Sequence, residues 1–241
     1  RSPPPEDVNI GLEVPLFNIR AIPNPDLRPE TSDGFEAGVR LTGVPVALTA
    51  SVFQTEYSDF IESKVNLGVD PATGVTLFQS QNVAEARIYG VEFDARVDVS
   101  AWSPRLDGWS GRLAGSWTRG NDLTRDVPLN SIDPPQLVFS VRYDAPSMRW
   151  GSELALTAVE AQREVDRSRA DLYRTDGYAT LDWLANVSLG PRLRLNLGLF
   201  NLTNTAYIEW SDVRGRVADD PLVPYYTRAG FNASASLRYD F

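Results

Sequence analysis

Apolar and polar residues alternate along most of this chain. Phe35, Ala37, Val39 and Leu41 interleave with Glu36, Gly38, Arg40 and Thr42, and Val91, Phe93, Ala95, Val97 and Val99 with Glu92, Asp94, Arg96 and Asp98. Leu137, Phe139, Val141 and Tyr143 oppose Ser140, Arg142 and Asp144; Leu193, Leu195, Leu197 and Leu199 oppose Arg192, Arg194, Asn196 and Gly198. A period of two is that of a strand with one apolar face and one wet face. No stretch sustains a helical period, so the sequence predicts an all-β chain. The alternation runs from Phe231 through Leu237 and Tyr239 to the last residue, Phe241.

The connections between strands fall into two classes. Residues 42–45, 145–149 and 190–192 are tight and carry the Gly and Pro that turns require, with 100–110 a longer member of the set. Residues 62–80, 120–133, 160–176 and 203–228 are long and polar. Short turns at one end and long loops at the other describe an up-and-down outer-membrane barrel. Strands of about ten residues suffice to cross a bilayer when tilted. Trp102, Trp109, Tyr143, Trp150, Tyr239 and Phe241 fall near the short-turn end, where an aromatic girdle belongs. A soluble β-sandwich would alternate in the same way. A closing barrel seam, however, explains why the pattern persists to the terminal ring, because the last strand then has partners on both sides. Alternating segments predict about nine strands from near Gly34 to Phe241.

Composition narrows the functions. With 42% hydrophobic and 23% charged residues the chain is not disordered, and no apolar run is long enough for a transmembrane helix. A net charge of −9 argues against nucleic acid as a partner. There is no Cys and no His, which removes thiolate chemistry and the commonest general base and metal ligand. Asp219–Asp220 and the trio Asp166, Asp171 and Asp176 lack a neighbouring base or a Gly-anchored calcium loop, so neither catalytic nor metal residues are expected. The opening "RSPPPED" lacks an initiating Met and a signal peptide, and reads as the interior of a longer chain.

Three stretches carry a more specific likeness: "NPDLRPETSDGFEAGVR" (24–40), "NVAEARIYGVEFDARVDV" (82–99) and "LFNLTNTAYIEWSDVRG" (199–215). In this order, before a terminal Phe, they resemble the C-terminal motifs of TonB-dependent outer-membrane receptors, and most nearly the haem/haemoglobin-type branch. The resemblance maps motif roles onto Asn24, Pro25, Leu27, Pro29 and Glu30, onto Gly90 and Glu92, onto Asn201 and Tyr207, and onto Phe241. It implies a transmembrane antiparallel β-barrel, of which this chain supplies the C-terminal nine or so of about 22 strands around a plug. Residues 1–33 would be an extracellular loop and lead-in, and residues 34–241 barrel. It further implies the outer membrane of a Gram-negative bacterium, assembly by the barrel-assembly machinery acting on the C-terminal strand, contact with outer-membrane lipid, and energy from the TonB complex through the plug. The transported ligand would be haem, or haem from a haem protein. A ferric siderophore taken up by the same fold is the alternative; a passive porin and a soluble binding sandwich rank below it. No cofactor is expected to be covalently bound. Candidate ligand-facing residues in the long loops are Tyr173, Arg174, Tyr207, Trp210, Arg214, Tyr225 and Tyr226, beside Arg163, Arg167, Arg169, Arg216 and Arg228. Guanidinium forks pair with carboxylates and aromatic faces stack on flat rings. Residues 2–23 contain no His, Tyr or Met, so any axial haem ligand from this chain would be a loop Tyr.

Overall fold

The computed structural model of the chain describes every residue except Val44 and Arg169. The first belongs to the expected turn 42–45 and the second to the long loop 160–176; both expectations lie, at those positions, outside the described residues.

The described residues form one sheet of twelve strands. Three are brief: β1 (Leu12–Val14), β2 (Ile19–Ala21) and β7 (Val127–Pro128). The other nine are β3 (Thr31–Thr42), β4 (Val46–Val69), β5 (Thr76–Asp98), β6 (Trp109–Asp122), β8 (Gln136–Asp144), β9 (Trp150–Val159), β10 (Tyr178–Ser188), β11 (Leu193–Phe200) and β12 (Asn232–Tyr239). Each of the nine pairs antiparallel with the next, as a meander. The first begins three residues earlier than the alternation suggests, at Thr31.

Register explains the pattern in the sequence. Leu41, Leu48, Ala95, Leu113, Phe139, Leu156 and Leu181 stand opposite one another across seven strands. Asp98, Ser110, Arg142, Glu153, Leu184, Gly198 and Ser234 make a comparable row on the other face. Because side chains repeat every two residues, this pairing puts Phe35, Val39, Val91, Phe93, Leu195, Leu197 and Leu237 on the apolar face. Glu36, Arg40, Asp94, Arg142, Arg194 and Arg238 lie on the polar one, where Arg112 clasps Asp94 at 2.5 Å and Arg142 joins Asp144 at 2.6 Å. Among the described residues no second layer covers the apolar face: Phe139 is 46% exposed and Leu237 64%. Among the described residues the outer strands of this meander, β3 and β12, each pair on one side only. At the short-turn end Trp109, Tyr143 and Trp150 follow one another at 5.1 and 5.0 Å between ring centroids, and Tyr239 meets Phe241.

One expectation is corrected. Residues 62–80 are not a loop: β4 and β5 continue as a projecting hairpin, closed by the turn 70–75. Register shifts at Glu62/Val65 and Asn66/Gly68, with Lys64 at φ 57°, break the alternation while the ladder continues. Closed apolar packing occurs only at this long-loop end, among the described residues. Val83, Ala86 and Leu129 form one cluster; Val165, Leu172, Trp210, Val213 and Val223 form the other.

Candidate functional site: the long-loop end

The first and second motifs interlock. Asn24 donates through Nδ2 to the Ser80 carbonyl (2.9 Å) and accepts from the Asp26 amide (3.2 Å), so it closes its own turn while tying it to β5. Pro25 and Pro29 fix φ on either side of Leu27, which is buried. Asn82, from the second motif, imitates a strand neighbour. Its Oδ1 accepts from the Arg28 amide (2.8 Å) and its Nδ2 donates to the Arg28 and Asp59 carbonyls (3.0 and 2.6 Å). Glu30 is buried and accepts from the Ile61 amide at 3.0 Å. These residues therefore anchor the lead-in to β4 and β5. Gly90 lies lower on the sheet, where a Cβ would meet the Trp117 carbonyl at 2.5 Å and the Phe53 ring at 2.9 Å. Glu92 is two residues further along the same polar face. Phe241 stands at the opposite end of the molecule from the loops, beside Tyr239.

The third motif shapes the exit from β11. Asn201 and Asn204 both adopt left-handed φ of 50°. Buried Asn201 donates to the Thr205 and Ala229 carbonyls (2.9 and 3.3 Å), and its amide donates to Asp182 at 2.7 Å. Asn204 accepts from the Phe231 amide, joining the two ends of the loop 201–231. Tyr207 stacks on Tyr178 with centroids 4.1 Å apart. Burial pushes its phenol above the usual tyrosine range, with Glu209 adding to the effect, so it stays a neutral donor. The pair borders a cleft of about 350 Å³ that also takes in Asp133, Thr157, Asp182 and Glu209.

The sequence-predicted ligand residues divide. Trp210 is inside: it is 2% exposed and its indole donates to the Asn130 carbonyl at 2.9 Å. Arg214 reaches Ser63 (3.1 Å), and Asn66 donates to the Gly215 carbonyl (2.6 Å), so loop 201–231 is bound to the projecting hairpin. Tyr226 accepts from Arg216 (2.6 Å) and stacks on Phe17 at 5.0 Å. Tyr173 packs against the Trp210 cluster. Tyr225 and Arg174 are exposed, as are Arg163 and Arg167, the latter ion-paired with Asp171. Arg228 bridges Glu209 and Asp212 at 2.6 and 2.9 Å. Of the acidic trio, Asp166 is bound by Arg125 at 2.9 Å, and the described residues contain no set of three or more side chains arranged to hold a metal.

The residue that organises this end is Arg216. It is 4% exposed and bonds Asp220 (2.6 Å), the Tyr226 hydroxyl and the Phe17 carbonyl (3.1 Å, from both terminal nitrogens). Among loop arginines nothing in the sequence singles it out, because Phe17 is 199 positions away.

Comparison with known proteins agrees with this architecture. The family profile described as TonB dependent receptor-like, beta-barrel matches residues 1–202. The probable hemoglobin and hemoglobin-haptoglobin-binding protein 4 of Haemophilus influenzae is 27% identical over 254 residues, covering 96% of this chain and 25% of that protein. The hemoglobin-haptoglobin utilization protein B of Neisseria meningitidis is 27% identical over 242 residues, with 89% and 29% covered. Among solved structures, the copper transporter OprC aligns with a TM-score of 0.74 at 18% identity, over 90% of this chain and 32% of its own. The siderophore receptor PirA from Acinetobacter baumannii aligns at 0.64 and 19% identity, over 92% and 33%. At these identities the structural likeness is one of fold. The chain spans about a quarter of the curated relatives and about a third of the solved structures it matches. By the profile match, the motif order and the nine-strand meander, the chain belongs to the TonB-dependent receptor-like β-barrel family.

Proposed function

We propose that this chain forms barrel wall and ligand-facing loops of an outer-membrane receptor that takes up haem, free or from a haem protein, with energy from the TonB complex. The observation that carries the reading is the likeness to haemoglobin-binding proteins along 96% of the chain. Physical features support it. The exposed apolar face fits lipid, the salt-bridged polar face fits a wet lumen, and the aromatic row fits a membrane interface at the short-turn end. In this reading residues 1–33 are an extracellular lead-in, residues 34–241 are barrel, and the strand ending at Phe241 is what the barrel-assembly machinery engages.

The chain's own part in uptake is capture and containment rather than covalent chemistry. Loops 160–177 and 201–231, tied to the β4–β5 hairpin, would make one side of the vestibule. The cleft beside Tyr178 and Tyr207 would face the path inward. Arg174, Tyr225 and Tyr207 remain the loop side chains offered to ligand, whereas Trp210, Arg214, Tyr226 and Tyr173 would hold the loops in place.

The test is growth of an iron-starved strain deleted for the gene that encodes this chain, complemented with that gene, on a sole iron source. Rescue by haem or haemoglobin is expected. Rescue by ferric siderophore alone would overturn the haem assignment.

A further inference from the structure

The apolar face of the sheet carries a groove of about 410 Å³ toward its long-loop end. Phe93, Gly115, Leu137 and Ala158 stand opposite one another on β5, β6, β8 and β9, so small residues interrupt a row of large ones. At Gly115 a Cβ would meet the Phe93 ring at 2.9 Å, so that ring lies across the glycine and forms part of the floor. One row nearer the loops, Val91 stands opposite Trp117, and the indole walls the groove. Trp117 is braced from two directions. Tyr89 meets its ring edge-on at 5.7 Å, and the Arg119 guanidinium lies over it at 5.7 Å. Arg119 is fixed in turn by Glu164, at 2.7 Å from one terminal nitrogen. Glu160, exposed and without an ion-pair partner among the described residues, completes the rim. Side chains that merely face fluid lipid need no bracing; a preorganised wall beside a groove is the arrangement of a binding surface.

We propose that this groove holds an acyl chain of a phosphorylated glycolipid of the outer leaflet, with the headgroup seated between Arg119 and Glu160. That occupant rests on the receptor reading above, in which this face meets lipid. Lipid tails are as apolar as the groove, so the hydrophobic effect does not favour the site over the bulk bilayer. Retention has to come from close packing against Trp117, Phe93 and Leu137, and from the headgroup. The rim selects that headgroup. Arg119 spends one terminal nitrogen on Glu164; its Nε and other terminal nitrogen have no acceptor among the described residues, and such a fork suits a phosphate. Arg87, on the same face, is paired with Glu56 at 2.7 Å and adds no net charge. Glu160 and Glu164 are acceptors and would repel a headgroup that was phosphate alone. A sugar supplies the hydroxyl donors that these carboxylates take, and a phosphate on the sugar supplies the acceptor for Arg119.

The test uses the full receptor, purified from outer membranes in mild detergent, stripped of lipid and titrated with diphosphorylated lipid A by native mass spectrometry. Ala158→Trp, which fills the groove with an apolar ring, should bind lipid A about tenfold more weakly than the parent. Ala185→Trp, the same change on the same face of β10, should bind it within about twofold. Arg119→Gln should also lose about tenfold for lipid A and nothing for the dephosphorylated form. Phosphatidic acid, which carries phosphate without sugar, should compete poorly in the parent. Equal binding of lipid A by the parent and Ala158→Trp would overturn the proposal, as would equal weakening by both Trp substitutions. Phosphatidic acid bound as tightly as lipid A would overturn the assignment of the headgroup. Loss of a copurifying protein or of receptor dimers in Ala158→Trp, with lipid A binding unchanged, would show a protein contact in place of the lipid. Both Trp variants put an apolar side chain in lipid, so folded-barrel gel mobility should match the parent; should Ala158→Trp not fold, Arg119→Gln still decides the matter. Growth on haem is read separately. Ala158 is on the face opposite the lumen, so Ala158→Trp should grow within about twofold of the parent. Failure of the parent itself to grow would fall on the receptor reading, and is distinct from any result of the titration.

Discussion

Replacing Arg216 by Met should unlock the loop cluster and leave the barrel wall in place. The guanidinium is 4% exposed; it donates to Asp220 and to the Tyr226 hydroxyl at 2.6 Å each, and to the Phe17 carbonyl at 3.1 Å. It also lies over the Tyr226 ring at 5.2 Å and the Phe17 ring at 6.0 Å. Met fills much of the same volume and supplies no donor. Asp220 keeps one bond, from the Leu222 amide, and loses its cation. Breaking a buried ion pair by removing one partner costs about 3–5 kcal/mol. The Asp220 side chain is 11% exposed, so some water reaches it and the low end of that range applies. About 3 kcal/mol raises the open population of the loops roughly a hundredfold. None of the strand ladders runs through Arg216, so the loss is local. The assay is limited proteolysis of the receptor in native outer membrane, under conditions where cleavage tracks the open population. Cuts within 10–22 and 201–231 should appear on the order of 30- to 100-fold faster, by the same conversion, with folded-barrel gel mobility unchanged. Arg216→Lys should recover little of this protection, because a single ammonium cannot span three acceptors. Cleavage rates within twofold of the parent would refute the assignment of Arg216 as the clasp.

Three further predictions test other parts of the account. Phe139→Arg, in the middle of β8 on the apolar face, should destabilise the folded barrel by about 2–4 kcal/mol in a lipid-based unfolding titration, whereas Asn196→Arg on the polar face should cost far less. Gly90→Ala should cost about 1–3 kcal/mol by overpacking, and Phe53→Ala should not rescue it, because the nearest atom to the new Cβ is the Trp117 carbonyl. Glu62 lies on β4 beyond Ser58, where β3 no longer pairs, and one of its carboxylate oxygens is buried without a partner. Burial pushes its carboxyl above the usual range, against the opposing pull of Ser131 and Arg214. With the folded value raised, the contribution to loop docking is full below pH about 4.5 and is lost as pH rises through the folded value. Protection of the loops should therefore decline over that interval, and Glu62→Gln should flatten the profile in hydrogen exchange.

How much of this was legible in the sequence follows from which interactions are local. Strand faces are a two-residue property, and Phe35, Val39, Leu195 and Leu237 take the face their alternation predicts. The β4–β5 hairpin was hidden because bulges near Lys64 and Gly68 shift the register and erase the period. The loop core was hidden for a different reason. Val165, Leu172, Trp210, Val213 and Val223 have no regular spacing and meet only once the loops 160–177 and 201–231 are docked on each other. Among the motif residues, Asn24 and Glu30 were recognisable, yet their partners Ser80 and Ile61 were not, since no rule of spacing links positions so far apart. Trp210 and Tyr226 looked like ligand contacts because exposed and buried aromatic residues read alike in a loop without a period.

The central claim is that the meander is membrane wall, with long loops on one side and short turns on the other. Single-cysteine scanning tests it directly in the full receptor, with any cysteine outside this Cys-free chain replaced by Ser and a membrane-impermeant thiol reagent applied to intact and then to permeabilised cells. Ala72→Cys, at the tip of the β4–β5 hairpin, should label in intact cells. Met148→Cys, in the short turn between β8 and β9 and 86% exposed, should label only after the outer membrane is opened. Phe139→Cys, on the apolar face, should label in neither. Equal labelling of all three positions in intact cells, or labelling of Met148→Cys before Ala72→Cys, would contradict the account.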